Sequence, residues 1–582
     1  MLYLVPLLPP EVATISWQQQ NLNEFKFATK TNTVKLAQQS PTTPSIEIEN
    51  DPNRDRFLQP APAPVPVPSP NEQPVTPTPS PSPIPNNTPP IAVKKIVVTG
   101  STVFSDAEIE RITAPFTGKT LTLEQLRGVA DAITKLYLNR NYLTSRAILV
   151  NQTIVDGVVQ IRIVEGSLEA IEVVGTRRLN PNYVRSRIRL GGTSPLNNAG
   201  IEEQLRLLRL DPIFNNVEAS LRAGSELGKS ILTVRVTEAN PFTGVVSVDN
   251  YSPPSIGSER VGVSLAYRNL IGIGDELRGS YYATSQNGAD NFDFAYRVPV
   301  NAMNGTIQLR VAPNRSQIVQ APFEQFGFQG EQELYEISYR QPLVRSLKEE
   351  FALSIGLTLE DGRTFVTDDT LNFFNTDNRT SVIKFGQDYV RRDPRGAWAV
   401  RSQFSFGTGL FDATTRNASL PDGRFFSWLG QLQRVQLIGD DHLLIVQADI
   451  QLTPDSLLPS QLFVIGGGQS VRGYRQNARA GDNGFRVSIE DQIALQRNEA
   501  GVPVLQIAPF VDAGAVWNVD DNPNNDFLPS QRLLLGAGMG VIWQPIPNLN
   551  LRLDYAPLFI DLSDRGNNLQ DDGFYFSANY QL

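Results

Sequence analysis

The stretch Phe351-Ala352-Leu353-Ser354-Ile355-Gly356-Leu357-Thr358-Leu359-Glu360 decides the fold. Successive side chains of a β-strand point to opposite faces. Phe351, Leu353, Ile355, Leu357 and Leu359 therefore share a greasy face, and Ala352, Ser354, Gly356, Thr358 and Glu360 a wet one. Outward from here the same alternation recurs at 260–267, 305–311 and 485–492, with turns rich in Asp, Asn, Gly and Pro between the runs. It begins near Asn240 and fills the remaining 342 residues. A soluble sandwich shows the same alternation. The aromatic residues favour a membrane barrel: Tyr335, Tyr339, Trp398, Phe404, Phe406, Trp517, Trp543, Tyr555, Phe574, Phe576 and Tyr580 recur near strand ends, where interfacial girdles are built. A crossing strand needs roughly 9–11 residues, so this length leaves room for long connections. The last run, 574–582, places Phe574, Phe576, Ala578, Tyr580 and Leu582 on one face, and a barrel requires it to pair with the first strand so that no edge remains.

The whole chain has 582 residues, which implies several domains. It has no cysteine, which excludes disulfides, thiolate metal sites and a cysteine nucleophile. Its one histidine, His442, rules out a multi-histidine metal site and would have to serve any Ser-His-Asp triad. Lying beside Asp440 and Asp441 at a strand start, it reads as exposed. A net charge of −9 argues against a nucleic-acid partner. No apolar run approaches the roughly 20 residues of a membrane helix, a test to which barrel strands are blind.

Residues 1–17 are apolar without a basic start and carry Pro9-Pro10, so they read as a weak or truncated signal-like segment. Residues 18–92 are polar and then proline-rich, with 14 prolines among the 31 residues from Pro60 to Pro90. Such a segment cannot build a core and is expected to be a disordered, extended tether. Between it and the barrel lies an internal repeat. Ile96-Val97-Val98-Thr99-Gly100 is matched 75 positions later by Ile171-Glu172-Val173-Val174-Gly175. Each copy continues into a helical pattern; in the first, Leu126, Val129, Ile133 and Leu136 fall on one face. Each ends in paired strands: 147–155 and 158–164 flank an Asp156-Gly157 turn, and 217–221 and 231–236 flank a loop with Gly224 and Gly228. Two α+β units follow, 93–166 and 167–239, then the barrel at 240–582.

Two motifs carry the candidate site. The first is Gly466-Gly467-Gly468-Gln469-Ser470-Val471-Arg472-Gly473-Tyr474, where glycines permit an unusual backbone path and arginine offers a planar fork of donors. The second is Phe510-Val511-Asp512-Ala513-Gly514, whose alternation turns Phe510, Asp512 and Gly514 to the polar, lumenal face. The next strand puts Gly536, Gly538 and Gly540 on one face and leaves empty space there. Together they predict a wide lumen with a loop folded into it, Arg472 binding Asp512 and Tyr474 resting over the glycine-lined wall. No catalytic group, cofactor site or metal site is read. Gly272-Ile273-Gly274 lies in a turn without the lysine and helix of a phosphate loop.

The repeat units resemble POTRA domains. Two of them, a Val471-Arg472-Gly473-Tyr474 loop and a Phe510-x-Asp512-x-Gly514 strand look like a two-partner secretion outer-membrane transporter of the haemolysin secretion/activation family. Asp249-Asn250, 269–275 and 339–343 are further family-like stretches. The resemblance covers 93–582 and implies a transmembrane β-barrel of 16 antiparallel strands, preceded by two periplasmic POTRA domains. It also implies an extracellular loop reaching back into the pore, and an N-terminal plug helix for which 17–39 is the candidate. The implied location is the outer membrane of a Gram-negative-type cell. The implied function is non-enzymatic: export of one large, unfolded adhesin- or haemolysin-like exoprotein. Implied partners are that exoprotein, outer-membrane lipid and the barrel-assembly machinery that inserts the chain itself. A related machine that inserts other barrels shares the plan and is the alternative; a passive pore and a barrel lipase are more remote.

Overall fold

A computed structural model describes residues 90–321, 323–366, 375–416, 420–499, 501–527 and 529–582. The signal-like segment, the plug-helix candidate 17–39 and all but the last three residues of the linker lie outside them.

The first α+β unit runs β1 (Lys95–Thr99), α1 (Asp106–Thr113), α2 (Leu123–Leu138), β2 (Arg146–Leu149) and β3 (Val158–Val164). Its sheet has the order β1-β3-β2, with β1 parallel and β2 antiparallel to β3. Thr122 starts α2 with a capping box: its hydroxyl accepts from Gln125 N (3.2 Å), and the Gln125 side chain accepts from Thr122 N (2.9 Å). The helix buries Leu126, Val129, Ile133 and Tyr137 against Val159, Ile161 and Ile163 of the sheet. Leu136, read above as part of that face, is only partly buried. The second unit repeats the order: β4 (Ser167–Val174), α3 (Pro181–Arg189), α4 (Asn198–Arg209), β5 (Phe214–Ala223) and β6 (Lys229–Glu238), with β6 central.

The repeat extends to its stitching. Gly100 (φ +89°) and Gly175 (φ +94°) end the first strand of each unit in the left-handed region. An added Cβ would press on the carbonyl oxygen of Ile163 at one and of Val236 at the other, so both positions require glycine. The N–H groups after each glycine then converge on a carboxylate at the end of the central strand. Glu165 accepts from Thr102 N (2.6 Å) and Val103 N (3.2 Å); Glu238 accepts from Arg177 N (2.7 Å) and Leu179 N (3.0 Å). Glu165 also accepts from the Tyr137 hydroxyl at 2.7 Å. Burial works to raise its pKa, but hydrogen bonds from Thr102, Tyr137 and Val103 outweigh it and hold the carboxyl below its ordinary 4.5.

One strand differs from expectation: β2 ends at Leu149, although the sequence pattern continues to Val155. The Gln152 side chain takes over the ladder's role, accepting from Gln160 N and donating to Gln160 O, both at 2.8 Å. The turn itself follows its sequence, with Asp156 (φ +56°) and Gly157 (φ +71°) both left-handed, as a type I′ hairpin turn requires.

The barrel is closed and has sixteen strands, each antiparallel to its neighbours. In chain order they are β7 (Phe242–Asp249), β8 (Arg260–Arg268), β9 (Glu276–Thr284), β10 (Ala289–Pro299), β11 (Thr306–Gln317), β12 (Phe328–Arg345), β13 (Glu349–Val366), β14 (Thr376–Asp393), β15 (Gly396–Thr408), β16 (Phe426–Ile438) and β17 (His442–Leu452). A short hairpin, β18 (Phe463–Ile465) and β19 (Arg479–Gly481), interrupts the series. Then come β20 (Asn483–Arg497), β21 (Pro503–Trp517), β22 (Leu533–Ile546), β23 (Leu549–Tyr555) and β24 (Phe574–Gln581). β24 closes the ring on β7 through five residue pairs, Ser577↔Asp249 to Gln581↔Val245.

The alternation sorts the two faces as read. Ile337, Ile355, Val511, Met539 and Leu553 stand exposed on the outer wall, with the aromatics Tyr335, Tyr339, Trp398, Phe406, Trp543, Tyr555, Phe574 and Tyr580. Such a continuous apolar surface belongs in lipid. β12, β13 and β14 have 18 residues each, against the roughly 9–11 that cross a bilayer. Beyond the apolar band their outward positions become charged, with Asp361 accepting from Arg379 at 2.9 Å. His442 opens β17, partly exposed as its position suggests, but it has a carboxylate partner, with Nδ1 2.8 Å from Asp491.

Candidate functional site

The connection between β17 and β20, residues 453–482, folds back along the inner wall. Its hairpin β18–β19 carries the glycine-rich motif at its tip. Gly466 (φ +109°), Gly467 (φ +101°) and Gly473 (φ +101°) bend the tip in the left-handed region, where side-chain-bearing residues are strained. Phe463, Ile465, Val471 and Tyr474 from this loop pack with Val516, Leu534 and Leu562 into a small apolar core inside the barrel.

Arg472 is almost wholly buried and meets Asp512, which is fully buried, in a bidentate pair: Nε to Oδ2 at 2.7 Å and Nη2 to Oδ1 at 2.9 Å. The Arg472 backbone N–H adds a third bond to Asp512 Oδ2 at 3.1 Å. Nη1 donates to Glu490 at 2.6 Å, and the guanidinium carbon lies 3.3 Å from the centre of the Phe510 ring. Gly514 completes this strand's motif, leaving room for Val471, whose Cγ2 lies 3.0 Å from where a Cβ would stand. The three lumenal positions of β21 thus receive the loop: Phe510 under the guanidinium, Asp512 on its nitrogens, Gly514 beside Val471.

The glycine wall is arranged differently from the sequence expectation. Arg472, rather than Tyr474, lies over Gly536, where a Cβ would collide with the Arg472 carbonyl oxygen. Gly538 makes room for the Phe510 ring and the Tyr555 carbonyl, and Gly540 for Asp554. Tyr474 reaches past the glycine face, its hydroxyl donating to Leu535 O at 2.8 Å and accepting from Ile560 N at 3.2 Å. The Arg472 main chain needs the bare backbone of Gly536; the tyrosine hydroxyl needs main-chain partners.

Several contributors carry no signal in the two motifs. Arg552 binds Glu490 at 2.7 Å and Asp554 at 2.7 Å, which brings two guanidiniums and three carboxylates together in one buried network. Tyr575, fully buried, donates to Tyr474 O (2.6 Å) and accepts from Gly473 N (2.8 Å). Two more bidentate pairs hold the loop to the connection 556–573: Arg475 to Asp571 at 3.0 and 2.8 Å, and Arg479 to Asp564 at 2.9 and 2.9 Å. Arg486 binds Asp449 on the neighbouring strand at 2.5 Å. Among the described residues no group of His, Cys, Asp and Glu could hold a metal ion. The arrangement holds the loop to the barrel wall through charge-assisted hydrogen bonds on several sides.

A family model described as haemolysin secretion/activation protein ShlB/FhaC/HecB matches residues 228–542, and a POTRA domain model of the ShlB type matches 91–166. The outer membrane transporter CdiB of Escherichia coli O6:K15:H31 (strain 536 / UPEC) is 26% identical over 414 residues, covering 68% of each chain. A solved structure of CdiB from Escherichia coli superposes with a TM-score of 0.64 at 20% identity, covering 99% of both chains. BamA from Haemophilus ducreyi lacking POTRA domains 1–3 superposes with a TM-score of 0.54 at 15% identity, covering 85% of this chain and all of that one. These two likenesses are of fold.

Proposed function

Because the chain belongs to the haemolysin secretion/activation family of outer-membrane transporters, we propose that it exports one large adhesin- or haemolysin-like exoprotein from the periplasm to the outside. The observation that carries this reading is the loop 453–482 held inside a closed barrel by Arg472 on Asp512. It makes the lumen a path whose occupant is a peptide segment. Residues 93–166 and 167–239 act as two periplasmic POTRA domains. In the second, β5 is a ten-residue strand at the sheet edge. An unfolded partner can add a strand to it through main-chain hydrogen bonds, which demand no particular sequence. The partner then threads the lumen and folds outside, which biases movement outward without bound nucleotide. The tip with Val471, Arg472, Gly473 and Tyr474 shifts to let it pass.

A quantitative comparison of secreted and outer-membrane proteins with and without the gene tests this. Loss of one or two large exported proteins, with other barrels unchanged, is expected. A broad fall in many barrels would instead identify an assembly factor, whose fold this chain shares.

A further inference from the structure

The shortest ladder of the barrel is the seam between β7 and β24, whose five residue pairs stop at Ser577↔Asp249. The next residue, Asn250, is fully buried and continues the joint with its side chain. Its Nδ2 donates to Phe574 O and its Oδ1 accepts from Phe576 N, both at 2.9 Å. One amide side chain thus stands in for the main-chain bonds that β7 no longer supplies. The lumenal loop touches both sides of this joint. On the β24 side, the buried Tyr575 hydroxyl donates to Tyr474 O at 2.6 Å and accepts from Gly473 N at 2.8 Å. On the β7 side the link is Gln570, fully buried in the connection 556–573. Its Oε1 accepts from Gln476 N of the loop at 2.7 Å, and its Nε2 donates to Asn250 O at 2.5 Å and Ser252 O at 2.8 Å. Between the two lies Gly468. A Cβ there would stand 2.5 Å from the Tyr251 ring and 2.9 Å from the Tyr575 ring, one residue from each side of the seam, so only bare backbone fits. The charged anchor of the tip is elsewhere: Arg472 binds Ser488 and Glu490 on β20 and Asp512 on β21, the latter three strands along the wall from β24.

We propose that the tip 466–476 is a clamp on the seam: the contacts that seat it in the lumen also hold the Asp249 end of the joint shut, so that release of the tip and loosening of the seam are one event. When the tip leaves, Gln570 loses Gln476 N, the Tyr575 hydroxyl loses both main-chain partners, and the rings of Tyr251 and Tyr575 lose the backbone that covers them. Water then reaches the two Asn250 bonds and competes for their partners. Local opening is governed by how few buried contacts a segment keeps, and a five-pair ladder keeps few. Linkage makes the effect reciprocal, so weakening the seam frees the tip by the same factor. Asn250, Gln570 and Tyr575 are the positioning residues of this clamp. It goes beyond the export reading and needs no cargo to operate.

The test uses the full chain purified in detergent and two readouts. One is deuterium uptake of the seam segments 245–250 and 574–581, with the β12–β13 ladder as internal reference. The other is maleimide labelling of a single Ser470→Cys thiol, in a chain that has no cysteine of its own. Arg472→Ala removes bonds to β20 and β21 only, yet it is expected to raise seam exchange as well as labelling, each about fivefold or more, with the reference ladder unchanged. Asn250→Ala removes bonds to β24 only, yet it is expected to raise labelling as well as seam exchange. Retained heat-modifiable migration on gels certifies the barrel in each variant. Should one fail to fold, Tyr575→Phe, which keeps the ring and removes the two bonds to the loop, carries the same pair of expectations. A rise in labelling without seam exchange, or in seam exchange without labelling, overturns the proposal. So does a rise that the reference ladder shares equally, or silence of both readouts in Asn250→Ala. Silence of both in Arg472→Ala means that the tip has stayed in place, and Asn250→Ala then decides.

Discussion

Truncating Arg472 to alanine is the sharpest perturbation of the lumenal loop. The side chain makes two bonds to Asp512, one to Glu490 and a face contact with Phe510. Removing it leaves Asp512 fully buried with the Ser488 hydroxyl at 2.7 Å and the loop's own N–H as remaining donors, while Glu490 keeps Arg552. Orphaning a buried charge costs about 3–5 kcal/mol, and these partners place the cost near 3. That corresponds to a rise of roughly a hundredfold in the fraction of molecules with the tip detached. Because the chain has no cysteine, a single Ser470→Cys substitution, at a buried position two residues away, reports this directly through its rate of reaction with a maleimide. Arg565→Ala serves as the control. It removes an exposed pair with Asp572 at 3.2 Å, worth at most about 1 kcal/mol, so the rate should stay within about fivefold. An unchanged labelling rate in Arg472→Ala, or the same rise in both variants, would refute the reasoning. If labelling rises while secretion is untouched, Arg472 is a structural pin and not a latch.

Two further outcomes follow from other contacts. Gly536→Ala places a methyl group on the Arg472 carbonyl oxygen; such overpacking costs about 1–3 kcal/mol, and the same thiol should label roughly fivefold to a hundredfold faster. Glu165 has a pKa held below 4.5 in the folded state. Its contribution is therefore present above the unfolded pKa and is lost as pH falls through the folded value. The protection of the Thr102 and Val103 amides from hydrogen exchange, relative to the intrinsic rate at each pH, should fall on acidification through that window, and Glu165→Gln should abolish the pH dependence of that protection.

The barrel was legible because its signal is local: a period of two, repeated with turns, is visible in ten residues such as 351–360. The Arg472–Asp512 pair was legible because both residues sit in unusual surroundings, one among glycines and the other on a lumenal face. Tyr575 was not, since it lies between Phe574 and Phe576 and reads as one more aromatic of a girdle; only its parity, opposite to theirs, turns it inward. Arg475, Arg479, Asp564 and Asp571 were hidden for another reason. Charged residues in polar connections are common, and which carboxylate meets which guanidinium depends on how two loops about 90 positions apart fold together. The early end of β2 was likewise invisible, because a glutamine side chain replaces a backbone partner without changing the apolar pattern.

The seam between β7 and β24 bears on how the molecule comes into being. Residues 249 and 577 must find each other across more than half the chain, and they do so through five pairs, where β12 and β13 share seventeen. Every other strand pair in the barrel can form with a nearer neighbour in sequence, so ring closure has the longest loop and the poorest return in hydrogen bonds. Until it happens, two strands present unpaired N–H and C=O groups, the surfaces on which proteins aggregate. Loop-closure entropy thus favours this seam as the last pairing to form, and until it does the two open edges need cover.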